Sequence, residues 1–490
     1  MISATVSEHV VLVNTNTVSL PRDPFTTGIP YMPLSLAYLA AALQHAGIAL
    51  DVLDAFGEAP WRMREEGRFL VQGLSPEEVA ERLPEHPLVV FVYAGTVAAH
   101  VATLALISAI RGRLASPIIV LENTQAVTSY HLRPVAAEFF RAGASAILLG
   151  EAEERGPELV RRLQADQTLD EIPGLLIREG EGMRDTGAPS SVPDLDTLAA
   201  PAWELFPLQS YWRIRYAHGP MQSRYLPLLT SRGCPYPCRF CVIPTLSNRR
   251  WRPRSASNVV DEMAAMQQRF GVSEFHVEDL NPTVSESRVQ AICAEILARG
   301  LCVTWKISAG TKIETIKDPR TIEQMAEAGC RYLSLSPESG SPRVLQLMDK
   351  PFDHAHALRL VEKMAACRIR TQACFVLGFP GERAEDRRLT TAYVRSLVRA
   401  GLDEIALFIM TPVPGSSIYG QVTGFDSLSE LNFSPGWRRG YALLSRYRMG
   451  LYGRFLWWKC RAHPVRIVRQ SWNFFRRRFE TKMEMTPYRA

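Results

Sequence analysis

The chain has 490 residues, more than one hydrophobic core usually serves, which implies two or three domains. With 47% hydrophobic, 22% charged and 9% aromatic residues it has the balance of a soluble globular protein, excluding a disordered or collagen-like chain. The net charge of +6 is uneven: from Arg438 onward Lys and Arg number 14 against two Glu, so the basic character belongs to a tail.

The apolar run Val10–Val13 is too short for a signal-peptide core, and no stretch of about 18 uncharged apolar residues offers a membrane span. A cytoplasmic location is expected. There the nine cysteines stay reduced, and grouped ones read as metal ligands or reactive thiols.

In chain order, strands are predicted at Val10–Asn14, Leu50–Asp54, Leu88–Tyr93, Ile118–Leu121 and Ala146–Gly150. Helices are predicted at Leu34–Ala46, Val97–Leu114, Pro134–Ala142 and Glu153–Leu163. Apolar strands alternating with helices over residues 1–165 predict a doubly wound, flavodoxin-like parallel sheet that binds ligands at its carboxyl strand ends. Residues 166–207, rich in Gly, Pro, Ser and Asp from Ile177 on, read as a connector.

A second alternating series spans 208–425, with strands at Leu226–Thr230, Glu274–Glu278, Val303–Ser308, Tyr332–Ser336, Gln372–Leu377 and Glu404–Met410. Helices such as Ala256–Phe270, Glu286–Arg299 and His354–Cys367 lie between them. Six β/α units predict a partial barrel with its active residues at the C-terminal strand ends. The fold class is therefore α/β, with a helical, basic and aromatic-rich region over 426–490.

Directly after the first strand of this series comes SRGCPYPCRFCVIP. Cys234, Cys238 and Cys241 are spaced x3 and x2, on a loop shaped by Gly233 and two prolines. Thiolates select iron–sulfur clusters or zinc. A zinc site would want a fourth ligand at short range, and the next cysteine is Cys293. Three ligands on a four-iron cluster leave one iron open to chelation by a substrate. The alternatives are three cysteines grouped in a core, or zinc with a remote ligand.

This loop, with Phe240 before its last cysteine, resembles that of the radical S-adenosylmethionine (SAM) superfamily. Membership implies an enzyme with a [4Fe-4S] cluster whose electron splits the SAM sulfonium, yielding methionine and a 5′-deoxyadenosyl radical. Later segments are similar to other landmarks of the superfamily. FHVEDLNPT offers Glu278 and Asp279 to the SAM amino group. SLSPESGS offers Glu338 to the ribose hydroxyls or amino acid group. FVLGFPGE offers Gly378 and Pro380 beside adenine, and MTPVPGSSIY resembles a TPxPGT segment.

The N-terminal region resembles the cobalamin-binding subgroup, which includes C-methyltransferases and the cyclase of bacteriochlorophyll synthesis. GIPYMPLSLAYLAAALQHAG looks like that subgroup's opening helix, LDVLDAFGEA like its second strand, ASAILLGEAEE like its GEGE turn and DLDTLAAPAWELFP like its linker. The resemblance implies cobalamin against the strand ends near Asn14, Thr96, Leu121 and Gly150. No DxHxxG motif supplies a cobalt-ligating histidine. Glu122 and Asn123 stand where the subgroup usually has Gly-Gly, and their side chains would take up space that glycine leaves free.

The function implied is cobalamin-dependent C-methylation of an unreactive carbon in a natural-product, tetrapyrrole or lipid substrate, with an external electron donor such as flavodoxin or ferredoxin. The alternatives are a radical cyclase, dehydratase or rearrangement enzyme with a vestigial cobalamin domain, or a non-enzymatic iron–sulfur regulatory protein. The tail has 12 basic and no acidic residues from Arg438 to Arg478, interleaved with Trp457, Trp458, Trp472, Phe474 and Phe475. It reads first as a helical cap on the barrel and second as a peripheral membrane contact, with no nucleic-acid partner expected. Most of the six cysteines outside the loop read as core packing.

Overall fold

A computed structural model of the chain describes residues 8–489 apart from 22, 24, 26–28 and 422. Gly28, which opens the GIPYMPLSLAYL segment, lies outside the described residues.

Five parallel strands form the centre of the N-terminal sheet: β1 (Val10–Asn14), β2 (Leu50–Asp54), β3 (Val89–Ala94), β4 (Ile118–Glu122) and β5 (Ala146–Leu148). They lie in the order β2-β1-β3-β4-β5, with Val10 beside both Leu50 and Val89. The order reverses between β1 and β3, which opens a crevice at their carboxyl ends. All residues of β1, β3 and β4 are buried, because helices cover both faces of the sheet. That is why these strands read as unbroken apolar runs.

Two features escape the apolar pattern. An antiparallel hairpin, Leu175–Glu179 and Gly182–Asp185, extends the sheet beyond β5, so Ile177 belongs to a strand rather than to an irregular connector. All four residues of Gly182–Asp185 are exposed, which leaves no apolar alternation to read. A small antiparallel sheet of Thr17–Ser19, Met63–Glu66 and Phe69–Gln72 stands beside the end of β1.

The second sheet holds six parallel strands: β6 (Tyr225–Leu228), β7 (Glu274–Val277), β8 (Thr304–Thr311), β9 (Cys330–Glu338), β10 (Arg370–Leu377) and β11 (Glu404–Ile409). They pair in sequential order and β6 does not meet β11, giving an open arc of β/α units. The helix Ala256–Phe270 shows the local logic. The Ser255 side chain accepts from the Asn258 amide at its start, and Gly271 ends it at φ +64°.

One continuous apolar core runs from Val10 and Leu12 through Trp203 and Tyr211 to Leu333, Phe375 and Phe455. A buried ionic clamp adds to it. Arg232, 1% exposed, meets Glu153 at 2.6 Å and Glu151 at 3.4 Å, and Arg252 also binds Glu151. Burial alone would lower the Arg232 pKa, but the two carboxylates outweigh it and hold the guanidinium charged. The GEAE turn after β5 is thus fastened to the residue two before Cys234.

The C-terminal region divides. The helix Tyr441–Ala462 buries Leu444, Leu451 and Phe455, whereas Pro464–Arg476 has no buried residue. The chain then turns back under the second sheet. Phe479, 0% exposed, donates its amide to the Met221 carbonyl, and Glu404 accepts from the amides of Lys482 and Met483. This segment closes the base of the arc.

Candidate functional site

The cysteine loop leaves the short strand Ser231–Arg232 at Gly233, whose φ is +78°. A Cβ there would lie 2.0 Å from the Arg250 carbonyl oxygen, so only glycine permits the close turn. Cys234, Cys238 and Cys241 are each partly exposed, and the Cys241 amide donates to the Cys238 carbonyl. Burial pushes all three thiols up, Cys238 to about 11; Cys234 raises Cys238 further, and both raise Cys241. Lys350 opposes this for all three, and Lys312 for Cys234 and Cys238, without reversing it. Among the described residues no three His, Cys, Asp or Glu side chains close around one point as a single ion needs. Thiolates on a cluster each take a different iron and need no common point.

Above this loop lies a cavity of ≈ 2270 Å³, open solvent at its mouth included, formed between the carboxyl strand ends of both sheets. Asn14, Thr96, Asn123 and Gln125 line it from the N-terminal side, and Phe240, Cys241, Glu278 and Glu338 from the other.

Glu338 ends β9 at a register shift against β10, with φ +58°. A non-glycine residue pays about 1–3 kcal/mol for that conformation, and its neighbours must enforce it. Lys350 does so: its Nζ lies 2.5 Å from the carboxylate, donates to Ser336 Oγ and sits 5.7 Å from the Phe240 ring centre. Burial alone would lower the Lys350 pKa, but Glu338 overrides it and keeps the ammonium charged.

Glu278 and Asp279 part company, as successive residues at a strand end face opposite ways. Glu278 lines the cavity and meets His218 Nδ1 at 2.6 Å. Burial alone would raise it, yet charge and hydrogen bonding from His218 hold it below the usual carboxylate range. Asp279, fully buried, accepts from the Thr230 amide and from the hydroxyls of Thr230 and Ser231, and braces the start of the cysteine loop.

Gly378 and Pro380 are absent from the cavity wall; Val376 and Met410 take that place. Gly378 has φ +73°, and a Cβ on it would lie 2.4 Å from Leu444 Cδ1 of the C-terminal helix. On the N-terminal side, Leu121 and Gly150 line an adjoining pocket of ≈ 300 Å³, open solvent included, which shares Ser35, Tyr93 and Gln125 with the cavity wall. Glu122 walls that pocket. Its carboxylate accepts from the amides of Leu132 (2.9 Å) and Gly150 (2.7 Å) and meets His131 Nδ1 at 2.8 Å. Asn123 Nδ2 donates to the Gly95 carbonyl, and Asn123 Oδ1 accepts from the Gln125 amide.

These positions therefore give an unequal fit to a cobalamin-sized ligand. Asn14, Thr96, Asn123 and Gln125 present neutral polar groups to the open cavity. At the ends of β4 and β5 the Glu122 side chain, held by the Leu132 and Gly150 amides, occupies space that glycine would leave free.

Four lining groups carried no signal in the sequence. His218 comes from the segment before β6 and packs on Tyr31, ring centres 4.8 Å apart. Gln372 and Cys374 point inward from β10. Lys482 rises from the closing segment, donates its Nζ to the Ser308 carbonyl at 2.8 Å and reaches the cavity from below. A lone lysine in a basic tail could not have been placed there without the fold.

Residues 228–394 match the family model described as the Radical SAM superfamily, so the chain carries a radical SAM domain and is an enzyme of that kind. The match runs from the last residue of β6 into the helix after β10 and includes the cysteine loop and Glu338. Relatives extend the likeness along the chain. A cytidylyl-2-hydroxyethylphosphonate methyltransferase from Streptomyces wedmorensis is 26% identical over 451 residues, covering 82% of this chain and 81% of the relative. An anaerobic magnesium-protoporphyrin IX monomethyl ester cyclase from Synechocystis sp. is 25% identical over 431 residues, covering 87% and 80%. The fold is shared with the radical SAM methyltransferase TsrM from Kitasatospora setae, solved with cobalamin and a [4Fe-4S] cluster, at TM-score 0.66 and 20% identity, over 85% of this chain and 78% of that one.

Proposed function

We propose that this enzyme is a cobalamin-dependent radical SAM C-methyltransferase acting on a small-molecule or lipid-like substrate. The observation that carries the reading is the single cavity joining the N-terminal strand ends to Cys241 and Glu338. Side chains from both sheets face it, so ligands held on either side would meet in it.

A four-iron cluster supplies the electron that cleaves the SAM sulfonium, and cobalamin supplies a carrier for a methyl group. The chain's part is to hold, orient and enclose. Cys234, Cys238 and Cys241 would hold three irons and leave the fourth open to SAM. Glu338, charge-balanced by Lys350, offers acceptors for the ribose hydroxyls or ammonium of SAM. Phe240 gives a flat apolar wall beside it, and the anionic Glu278 presents a second acceptor across the cavity. Asn14 and Thr96 would line the cobalamin face. The N-terminal domain roofs the site, which limits water and stray hydrogen donors around a reactive substrate. Reduction requires an external one-electron donor such as a flavodoxin or ferredoxin.

Anaerobically reconstituted protein with SAM and dithionite should form 5′-deoxyadenosine, and Cys238→Ala should not. Cobalamin-loaded protein should also release S-adenosylhomocysteine, which requires the methyl group to leave SAM. A loaded enzyme that forms 5′-deoxyadenosine but no S-adenosylhomocysteine would overturn the methyltransferase reading. The second reading, a radical cyclase, dehydratase or rearrangement enzyme, would then stand. The hydrogen-bonded Glu122 behind β4 favours that alternative.

A further inference from the structure

The C-terminal region splits into a part that caps the barrel and a part that covers nothing. Helix Pro464–Arg476 exposes Val465 (78%), Val468 (70%), Trp472 (59%) and Phe475 (76%). Spaced three, four and three residues apart, these four fall on one narrow face of the helix. The adjoining helix adds Leu456 and Trp457, also exposed. A soluble surface scatters such side chains; six within twenty residues form a patch.

The cations around the patch choose its partner. Arg461, Arg469, Arg476 and Arg478 are exposed, and no acidic residue occurs between Arg438 and Arg478. Arg461 lies 5.3 Å from the Trp457 ring centre, and Arg476 lies 5.3 Å from that of Trp472. Each pair sets an indole under a guanidinium, an apolar body below a polar head. The second helix is fixed to the fold from its other side, where Arg466 binds the Gly401 carbonyl and the His463 ring meets the Val398 carbonyl at 2.8 Å. Its apolar face is thus held outward.

We propose that this face docks on an anionic lipid bilayer, with Val465, Val468, Trp472 and Phe475 entering the headgroup boundary and the arginines meeting lipid phosphates. An amphipathic helix lying in the interface has this division of apolar and basic faces. A second copy of the chain is a poor occupant, because a twofold contact would set one basic array against another. Nucleic acid would use the arginines and leave the four apolar tips in water. The patch is too narrow to span: among the described residues no helix is long and apolar enough to cross a membrane.

Cluster-bearing protein should co-sediment with vesicles of phosphatidylcholine containing phosphatidylglycerol, more weakly at high salt, and not with phosphatidylcholine alone. The exposed variant V465S/V468S/W472S/F475S should lose binding at least about tenfold, or ~1.4 kcal/mol. R476Q/R477Q/R478Q should weaken it and flatten its salt dependence. Both variants should form 5′-deoxyadenosine as the parent does, which separates this proposal from the methyltransferase reading. The proposal is overturned if the parent ignores anionic vesicles, or if the serine variant binds them undiminished. A parent dimer that the serine substitutions dissolve would overturn it in favour of a second copy.

Discussion

The two strand-end faces that enclose the cavity are built on opposite principles. The β6–β11 face carries charge in matched pairs, Glu338 with Lys350 and Glu278 with His218, beside three thiols. The β1–β5 face lines the cavity with neutral side chains, and its buried carboxylates are consumed within the fold: Glu122 by two amides and a histidine, Asp54 by Asn14, Tyr211 and the Gly57 amide, Glu151 and Glu153 by Arg232. Reactive groups need particular residues at particular positions, so the first face writes itself into motifs. A face that would hold a large cofactor by shape does not.

That contrast can be broken or sharpened by substitution. The largest effect is expected from the cysteines: Cys234→Ala, Cys238→Ala or Cys241→Ala should remove cluster iron and abolish 5′-deoxyadenosine formation. Iron content together with product analysis checks this. Next comes the clamp between the faces. Arg232→Met leaves Glu153 and Glu151 buried beside an apolar chain and should cost ~3–5 kcal/mol in denaturant unfolding. Glu122→Ala, which orphans two amides and a histidine on the quieter face, should cost only ~1–3 kcal/mol.

A smaller effect is expected at Lys350. Lys350→Met frees Glu338 from its partner and should weaken SAM binding by about tenfold, ~1.4 kcal/mol, with the iron content unchanged. The smallest is a pH effect on the closing segment. Burial pushes the Glu484 carboxyl up to about 7. A carboxyl raised in the fold stays protonated there while its unfolded form ionises. Docking of Phe479–Lys482 should therefore be firmest below about 4.5 and weaken as pH rises toward about 7. Amide exchange of Phe479 and Thr481 across that range measures it, and Glu484→Gln should flatten the dependence.

Most of the strand ladder was legible because its central strands are buried on both faces and bounded by turns; Val10–Asn14 falls where the pattern sets it, as does the partly exposed edge strand Leu50–Asp54. The cysteine loop and Glu338 were legible for the same reason that they react. Asp279 shows a limit: adjacent carboxylates look alike in sequence, and strand geometry alone sends one to the cavity and the other under the cysteine loop. Gly378 shows another, since the residue that covers it, Leu444, arrives more than 60 positions later. Lys482 and His218 are long-range placements with no local pattern. Leu121 and Gly150 lie at strand ends as expected, but they line the adjoining pocket together with Glu122 rather than the main cavity.

The central claim is that both faces serve one cavity and that the quieter face holds cobalamin. The direct measurement is cobalamin added anaerobically to cluster-bearing protein, with cobalt content and visible spectrum read after gel filtration, for the parent and Thr96→Trp. Stoichiometric cobalt on the parent, lost when the indole fills the cavity while cluster iron remains, is the expected result. No cobalt on the parent, with 5′-deoxyadenosine still formed, would contradict it.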